Sequence, residues 1–444
     1  MKPYPKYKDS GVEWIGDVPE GWGVAPVRSF AKSGYKTFTD GDWIESPYIR
    51  EQGIRLIQTG NIGIGTYREQ GFRYIDEESF LRFHCTEVEA GDILICRLAD
   101  PVGRACLAPN LGVRMITSVD VCILKPHCEN DARFVVYGLS SPHYLSWMNA
   151  ICRGGTRNRV SRSMLGSICL QKPPLKEQTA IAAYLDHKTT QIDNLISKKQ
   201  KLIELLKEER AAIINQAVTK GLNPDAPMKD SGIEWLGEVP EHWEVKKLKW
   251  VSKIVNGSTP KSSIAEYWDG DIVWVTPSDI SKSGSLKISA SEKKITHEGL
   301  NNCGASIVPH GSIILTTRAP IGNLAIANTS LCTNQGCKSL IPTNVYSPYL
   351  FYSLFVSKDV LQSIGSGTTF KELSTDNLAS FIIVLPPQHE QKQIADYLNR
   401  KTTKIDQTTS KIEKQIGLLK EFRTALISEV VTGKIDVRDG GSNG

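Results

Sequence analysis

Asp9-Ser10-Gly11-Val12-Glu13-Trp14-Ile15-Gly16-Asp17-Val18-Pro19-Glu20-Gly21-Trp22 returns, 221 residues later, as Asp230-Ser231-Gly232-Ile233-Glu234-Trp235-Leu236-Gly237-Glu238-Val239-Pro240-Glu241-His242-Trp243. A second block behaves the same way. Pro173-Pro174-Leu175-Lys176-Glu177-Gln178, followed by Ile181-Ala182 and Tyr184-Leu185, returns as Pro386-Pro387-Gln388-His389-Glu390-Gln391, followed by Ile394-Ala395 and Tyr397-Leu398, at an offset of 213. That offset also carries Thr189-Thr190-Gln191-Ile192-Asp193 onto Thr402-Thr403-Lys404-Ile405-Asp406. Two matched blocks in one order at nearly one spacing mean that a large unit occurs twice.

Between the blocks the copies diverge, so the framework is shared while its filling varies. A weak echo joins Gly91-Asp92-Ile93-Leu94-Ile95, Arg97 and Pro101-Val102-Gly103 to Gly311-Ser312-Ile313-Ile314-Leu315, Arg318 and Pro320-Ile321-Gly322. Short β-rich runs bounded by Gly, Asn, Ser and Pro fill residues 23–172 and 244–385. After each Pro-Pro the period changes. Leu185, Ile192, Leu206 and Ile213 lie on a seven-residue ladder broken by Lys199, and Ile405, Ile412, Leu419 and Leu426 on an unbroken one. Sustained sevens predict coiled-coil packing. Each helix would be about 60 Å long, with Pro just ahead of its start and Gly221 or Gly433 just past its end.

The reading is therefore an α+β protein: two mixed α/β globular domains separated by two long antiparallel coiled-coil helices, in a pseudo-two-fold internal repeat. The boundaries are 1–172 and 222–385 for the domains, 173–221 and 386–433 for the helices, and 434–444 for a flexible tail.

Composition narrows the class. The 444 residues are 40% hydrophobic and 23% charged, with 36 Gly and 22 Pro, ordinary values for a globular protein. No stretch approaches the roughly 18 apolar residues of a membrane span, and the start lacks an apolar leader core, so a cytoplasmic protein with no membrane partner is expected. The net charge of +5 permits a local basic surface without requiring nucleic acid. Ten cysteines without a C-x-x-C, and eight histidines without H-x-x-x-H, predict free thiols and no zinc site.

The twin Asp-Ser-Gly-x-Glu-Trp-x-Gly-x-Val-Pro-x-x-Trp and Pro-Pro-x-x-x-Glu-Gln-x-x-Ile-Ala-x-Tyr-Leu blocks resemble those of the specificity (S) subunits of type I restriction-modification systems. Gly155-Thr156-Arg157 and Thr368-Thr369-Phe370-Lys371, with Thr156 and Thr369 each 17 residues ahead of a Pro-Pro, are similar to that family as well. The resemblance covers nearly the whole chain. It implies two target-recognition domains, each reading one half of a split site in double-stranded DNA, on helices that set the gap. It also implies two docked methyltransferase (M) subunits and added restriction (R) subunits. No cofactor is implied in this chain; the partners are expected to use S-adenosylmethionine, ATP and Mg.

Candidate DNA contacts follow from residue type. Arg153, Arg157, Arg159 and Arg162 fall within ten residues beside Gly154, Gly155, Thr156 and Asn158; glycines admit close backbone approach and Arg reaches phosphate or guanine. The second copy keeps Thr368, Thr369 and Lys371 there. Gln58, Asn61, Asn334 and Gln335 sit on polar loop tips, where an amide bonds adenine or simply holds a turn. Arg97 and Arg318 precede the Pro-x-Gly turns, as phosphate contacts or structural ion pairs. Trp14, Trp22, Trp235 and Trp243, placed alike in both copies, read as packing or docking residues. Ile196, Leu205 and Ile214 flank the ladders and are expected to meet the methyltransferase.

Catalytic motifs are missing. Lys172 and Leu385 stand where an amino-methyltransferase carries Asp or Asn before Pro-Pro, and no G-x-x-x-x-G-K-[ST] occurs. The expected role is a non-catalytic specificity subunit. The alternatives are a stand-alone Mg-dependent nuclease built on Asp279, Glu292 and Lys294, and a structural adaptor that does not bind DNA.

Overall fold

The computed structural model describes residues 2–98, 101–152, 158–283, 286–318, 320–365 and 371–438. They form two compact units, Met1–Lys199 with Glu413–Gly444, and Gln200–Ile412.

In the first unit a four-stranded antiparallel sheet runs in the order Phe38–Asp40, Val121–Leu124, Ile93–Cys96, Ala105–Leu107. Three of these strands, Val121–Leu124, Ile93–Cys96 and Ala105–Leu107, are apolar along their length, as strands covered on both faces must be. Ile54–Ile57 pairs antiparallel with Tyr74–Ile75 and parallel with Met115–Thr117 in a smaller sheet. The second unit repeats the plan. Ser252–Asn256, Cys337–Pro342, Ile313–Thr316, Leu324–Ala327 and Lys287–Ile288 form its main sheet, and Lys294–Ile295, Trp268–Val275 and Cys332–Thr333 its smaller one.

A two-stranded stem closes each domain. Gly23–Pro26 pairs with Cys169–Lys172, and Glu244–Lys247 with Ile382–Leu385, which sets each lead-in block beside the following Pro-Pro. The two conserved blocks then meet. Trp22 and Trp243 are fully buried, and their indole N–H groups donate to Oε2 of Glu177 (2.6 Å) and Glu390 (3.0 Å). The adjacent glutamines also serve the backbone: Gln178 accepts from Asp131 N and donates to Pro173 O, while Gln391 accepts from Tyr346 N and donates to Pro386 O. Trp14 stacks on Trp147 and Trp235 on Phe381. All four repeated tryptophans pack against residues of their own units.

The helices span Leu175–Lys220 and Gln388–Val431. Gly221 and Gly433 follow at φ of 77° and 73°, the left-handed conformation that ends a helix and favours glycine. In the first unit Trp22 touches both Gly433, past the end of one helix, and Glu177, at the start of the other. In the second unit Trp243 touches Gly221 and Glu390 in the same way. The helical segments of each unit are therefore antiparallel. Arg423–Asp193 and Lys199–Gln415 tie them in the first unit, and Arg210–Asp406 in the second. The two Arg–Asp pairs, each partly exposed, contribute roughly 0.2–1 kcal/mol each.

Buried and half-buried positions alternate in steps of four and three: Leu185, Thr189, Ile192, Ile196 and Lys199 in the first unit, and Leu398, Thr402, Ile405, Thr409 and Ile412 in the second. The sevens thus mark only half of the seam, because a coiled coil buries both a and d. Ile196 is one of the missing positions, four residues after the ladder residue Ile192. Lys199, the break in the ladder, lies on the seam and donates to Gln415 Oε1 at 2.7 Å.

Residues 434–438 depart from the flexible tail expected there. Asp436 bridges to Lys2, Val437 is buried and Arg438 lies over the Tyr4 ring. All ten cysteines are free and six are buried; burial pushes the thiols of Cys106, Cys332 and Cys337 up to about 12. Among the described residues, no helix is long and apolar enough to cross a membrane.

Candidate nucleic-acid interface

In the first unit several chain segments converge where the two sheets end: the turn after Ile57, the turn Ser118–Asp120, the strand end at Arg97, and Asn158–Arg162. The turn after Ile57 is locked from within. Asn61 is buried; its carbonyl accepts from Gln58 N (2.8 Å) and its amide donates to Arg68 O and Gln70 O. Arg104, also buried, donates to the carbonyls of Thr59, Ile62 and Pro101 beneath it. Gln58 stays half exposed on a polar cleft of about 540 Å³, with Thr59, Gly60, Gln70, Ser118 and Asp120.

Two carboxylates organise the cations. Asp40 lies 3.1 Å from Arg97 Nε and 3.9 Å from Arg162 Nη1. Asp120 lies 2.8 Å from Arg159 Nη2. Arg97 is buried and donates to Val119 O and Val160 O, so it pins two segments together, whereas Arg159 and Arg162 remain exposed. Asn158 donates to Asn149 Oδ1 at 3.2 Å. Arg153, Thr156 and Arg157 lie outside the described residues, as do Thr368 and Thr369.

The second unit builds the same place from other side chains. Asp279 is the counterpart of Asn61, for its carboxylate accepts from Thr276 N as Asn61 accepts from Gln58 N. Its other oxygen takes Glu292 N, while the Glu292 carboxylate turns to Lys282 at 2.8 Å. The nuclease constellation is thus a turn lock plus a surface ion pair. Among the described residues no group of three or more His, Cys, Asp or Glu could hold a metal ion. Asn334 Oδ1 accepts from Gly336 N, and Gln335 is exposed and accepts from Thr259 Oγ1. Lys371 is exposed, next to Glu372.

Hydrogen bonding corrects one alignment. Arg97 N donates to Asp120 O and accepts at its own carbonyl from Val160 N; Thr317 does the same with Gly336 O and Leu373 N. Arg97 therefore matches Thr317, and Arg318 matches Leu98. One residue is absent from the second copy before its Pro-x-Gly turn, which put the two arginines in false register. Strand alternation explains the outcome: Arg97 points inward, while Arg318 points outward and pairs with Glu372 at 3.2 Å.

Lys338 escaped the sequence reading. It replaces Cys122, is buried within a strand, and donates to Asn256 Oδ1 at 3.1 Å. Burial pushes its ammonium below the usual lysine range, against the pull of Glu372. A lysine in a short strand gives no signal of such a placement.

The flank residues separate. Ile196 is buried at the seam and Ile214 lies in the core beside Trp243, because ladder neighbours close onto the chain itself. Leu205 is 47% exposed, and Leu418, its counterpart at the 213 offset, is 64% exposed.

Comparison with known proteins agrees with this plan. The type I restriction modification DNA specificity domain family matches residues 43–206 and 240–417. A putative type I restriction enzyme MjaX specificity subunit of Methanocaldococcus jannaschii is 25% identical over 96% of both chains. The MjaIX specificity subunit of that organism is 43% identical over 37% of this chain and 39% of its own length. The fold matches the HsdS subunit of Thermoanaerobacter tengcongensis with a TM-score of 0.57, 17% identity and coverage of 94% and 98%. It also matches a chain from a structure concerning complex assembly and conformational transition of the type I R-M system, with a TM-score of 0.73, 17% identity and coverage of 94% and 99%.

Proposed function

The chain belongs to the type I restriction-modification DNA specificity family, and from that premise we propose that it is the non-catalytic subunit selecting a bipartite, asymmetric site in double-stranded DNA. One observation carries the reading: the same turn locks and stems occur twice, yet the groups they present differ. Arg159 stands opposite Glu372, Leu98 opposite Arg318, and Cys122 opposite Lys338. A duplicated framework with unlike faces suits two unlike half-sites, as paired modules do in other DNA readers.

In this reading Gln58, Arg159 and Arg162 contact the first half-site, and Arg318, Gln335 and Lys371 the second. Arg97 and Asn61 hold the loops. Two methyltransferase subunits dock on the outer flanks of the helices, where Leu205 and Leu418 repeat one exposed apolar position, and restriction subunits join them. S-adenosylmethionine, ATP and Mg belong to those partners, and the assembly works in the cytoplasm. The test is equilibrium binding by the purified chain saturated with its methyltransferase. One duplex should bind at least about 10³-fold more tightly than unrelated duplexes, and Arg162→Ala should weaken all of them together. Equal affinity for every duplex would favour the adaptor, and Mg-dependent cutting by the chain alone would favour the nuclease.

A further inference from the structure

Asp120 and Arg159 form a couple 2.8 Å apart, with the guanidinium side 53% exposed and the carboxylate at the edge of the polar cleft beside Gln58 and Gln70. The second unit has a couple that shares one of these two positions, Arg318 with Glu372, 3.2 Å apart and 50% and 41% exposed. The isolated bridges Leu98↔Arg159 and Arg318↔Glu372 show that Glu372 corresponds to Arg159 and Arg318 to Leu98, while the backbone ladder makes Gly336 the counterpart of Asp120. The carriers have changed: Arg159 is replaced by Glu372, so the cation has moved to the facing segment and the acid has taken its place. An ion pair that keeps one shared position, reverses the charge there and takes its partner from a different neighbouring segment in each of two otherwise divergent domains points to the couple itself as what the place requires.

Chemistry limits what such a couple can recognise. A phosphate would be drawn to the arginine and repelled by the adjoining carboxylate, so the neutral pair is a poor backbone clamp. In the major groove a C·G base pair offers a donor, cytosine N4–H, beside two acceptors, guanine O6 and N7. A carboxylate and a guanidinium held side by side complement that edge and keep their mutual ion pair while doing so. We propose that each couple reads one C·G pair, Asp120 with Arg159 in the first half-site and Glu372 with Arg318 in the second. The carboxylate accepts from cytosine N4–H and the arginine donates to the paired guanine. This rests on the specificity-subunit reading and adds to it a base identity in each half-site.

The test uses the full chain expressed with its methyltransferase subunits and single-molecule sequencing of the methylated sites. The wild-type motif should hold a C·G pair in each half. Asp120→Asn should relax one such position in one half-site, by about 5- to 150-fold in discrimination, and Glu372→Gln one position in the other half. Asp120→Glu, which keeps the acceptor, should retain the preference. Co-purification with the methyltransferase establishes that each variant is folded. A second readout is the salt slope of binding: Arg159→Ala should leave it unchanged, whereas loss of a phosphate contact lowers it by about 0.9. A half-site without any C·G pair, an unaltered motif in both variants, or a uniform weakening at all positions would overturn the proposal while leaving the specificity-subunit reading intact. A wild-type complex that marks no split motif would defeat both.

Discussion

Trp243→Ala is expected to lower the stability of the second unit by about 3–5 kcal/mol, the usual cost of removing a large buried aromatic. The indole is fully buried, sits against Gly221, and donates to Glu390. Truncation would remove the ring and leave Glu390 without its indole donor, at the point that joins lead-in block, stem and both helix ends. Trp22→Ala should do the same to the first unit through Glu177, Pro19 and Gly433. For a unit of this size the loss corresponds to about 6–20 °C in Tm. Trp243→Phe keeps one aromatic ring in the site while removing the N–H and part of the packing, so it should cost less, about 1–3 kcal/mol. Calorimetry of the three variants checks the ranking; a Trp243→Ala transition at the wild-type temperature would mean that the two conserved blocks are not mechanically joined.

The second large effect is expected at Gly41 and Gly257. Each begins the loop after the edge strand of its main sheet, where the backbone passes against the neighbouring turn. A Cβ on Gly257 would collide with the Asn334 carbonyl and Thr333 Oγ1, and one on Gly41 with the Ser118 carbonyl and Thr117 Oγ1. Backbone must then move, at a cost of about 1–3 kcal/mol or more. The segments that move are those bearing Gln335 in one unit and Asp120 in the other. Gly257→Ala should therefore disturb recognition of one half-site and Gly41→Ala that of the other, measured as binding to duplexes altered in one half. Alanine variants with wild-type stability and binding would contradict this placement.

Much of the architecture was legible because repetition does not depend on knowing the fold. The twin lead-in blocks and twin Pro-Pro starts identify positions under a common constraint, and the structure supplies it in the Trp–Glu contacts and glutamine locks. The heptads disclosed helices but only half of their seam, since Thr189 and Ile196 fall between the sevens and Lys199 interrupts them. The recognition faces were less legible for a physical reason. A polar loop residue has the same sequence signature whether it turns outward, like Gln58, or inward, like Asn61. Arg97 and Arg318 looked equivalent because both precede a Pro-x-Gly turn, and only the ladder revealed the missing residue. Lys338 sits in an ordinary strand and is notable only for what surrounds it. Asp120 and Glu372 drew no notice beside the arginines, although they decide how those arginines are held.

The most direct test of the central claim is to sequence methylated bases across the genomes of cells with and without this gene. The account predicts that one motif, two short specified halves separated by a fixed unspecified gap, is methylated in the first and vanishes in the second. An identical methylation pattern in the two, in cells that express the chain with its methyltransferase, would contradict it.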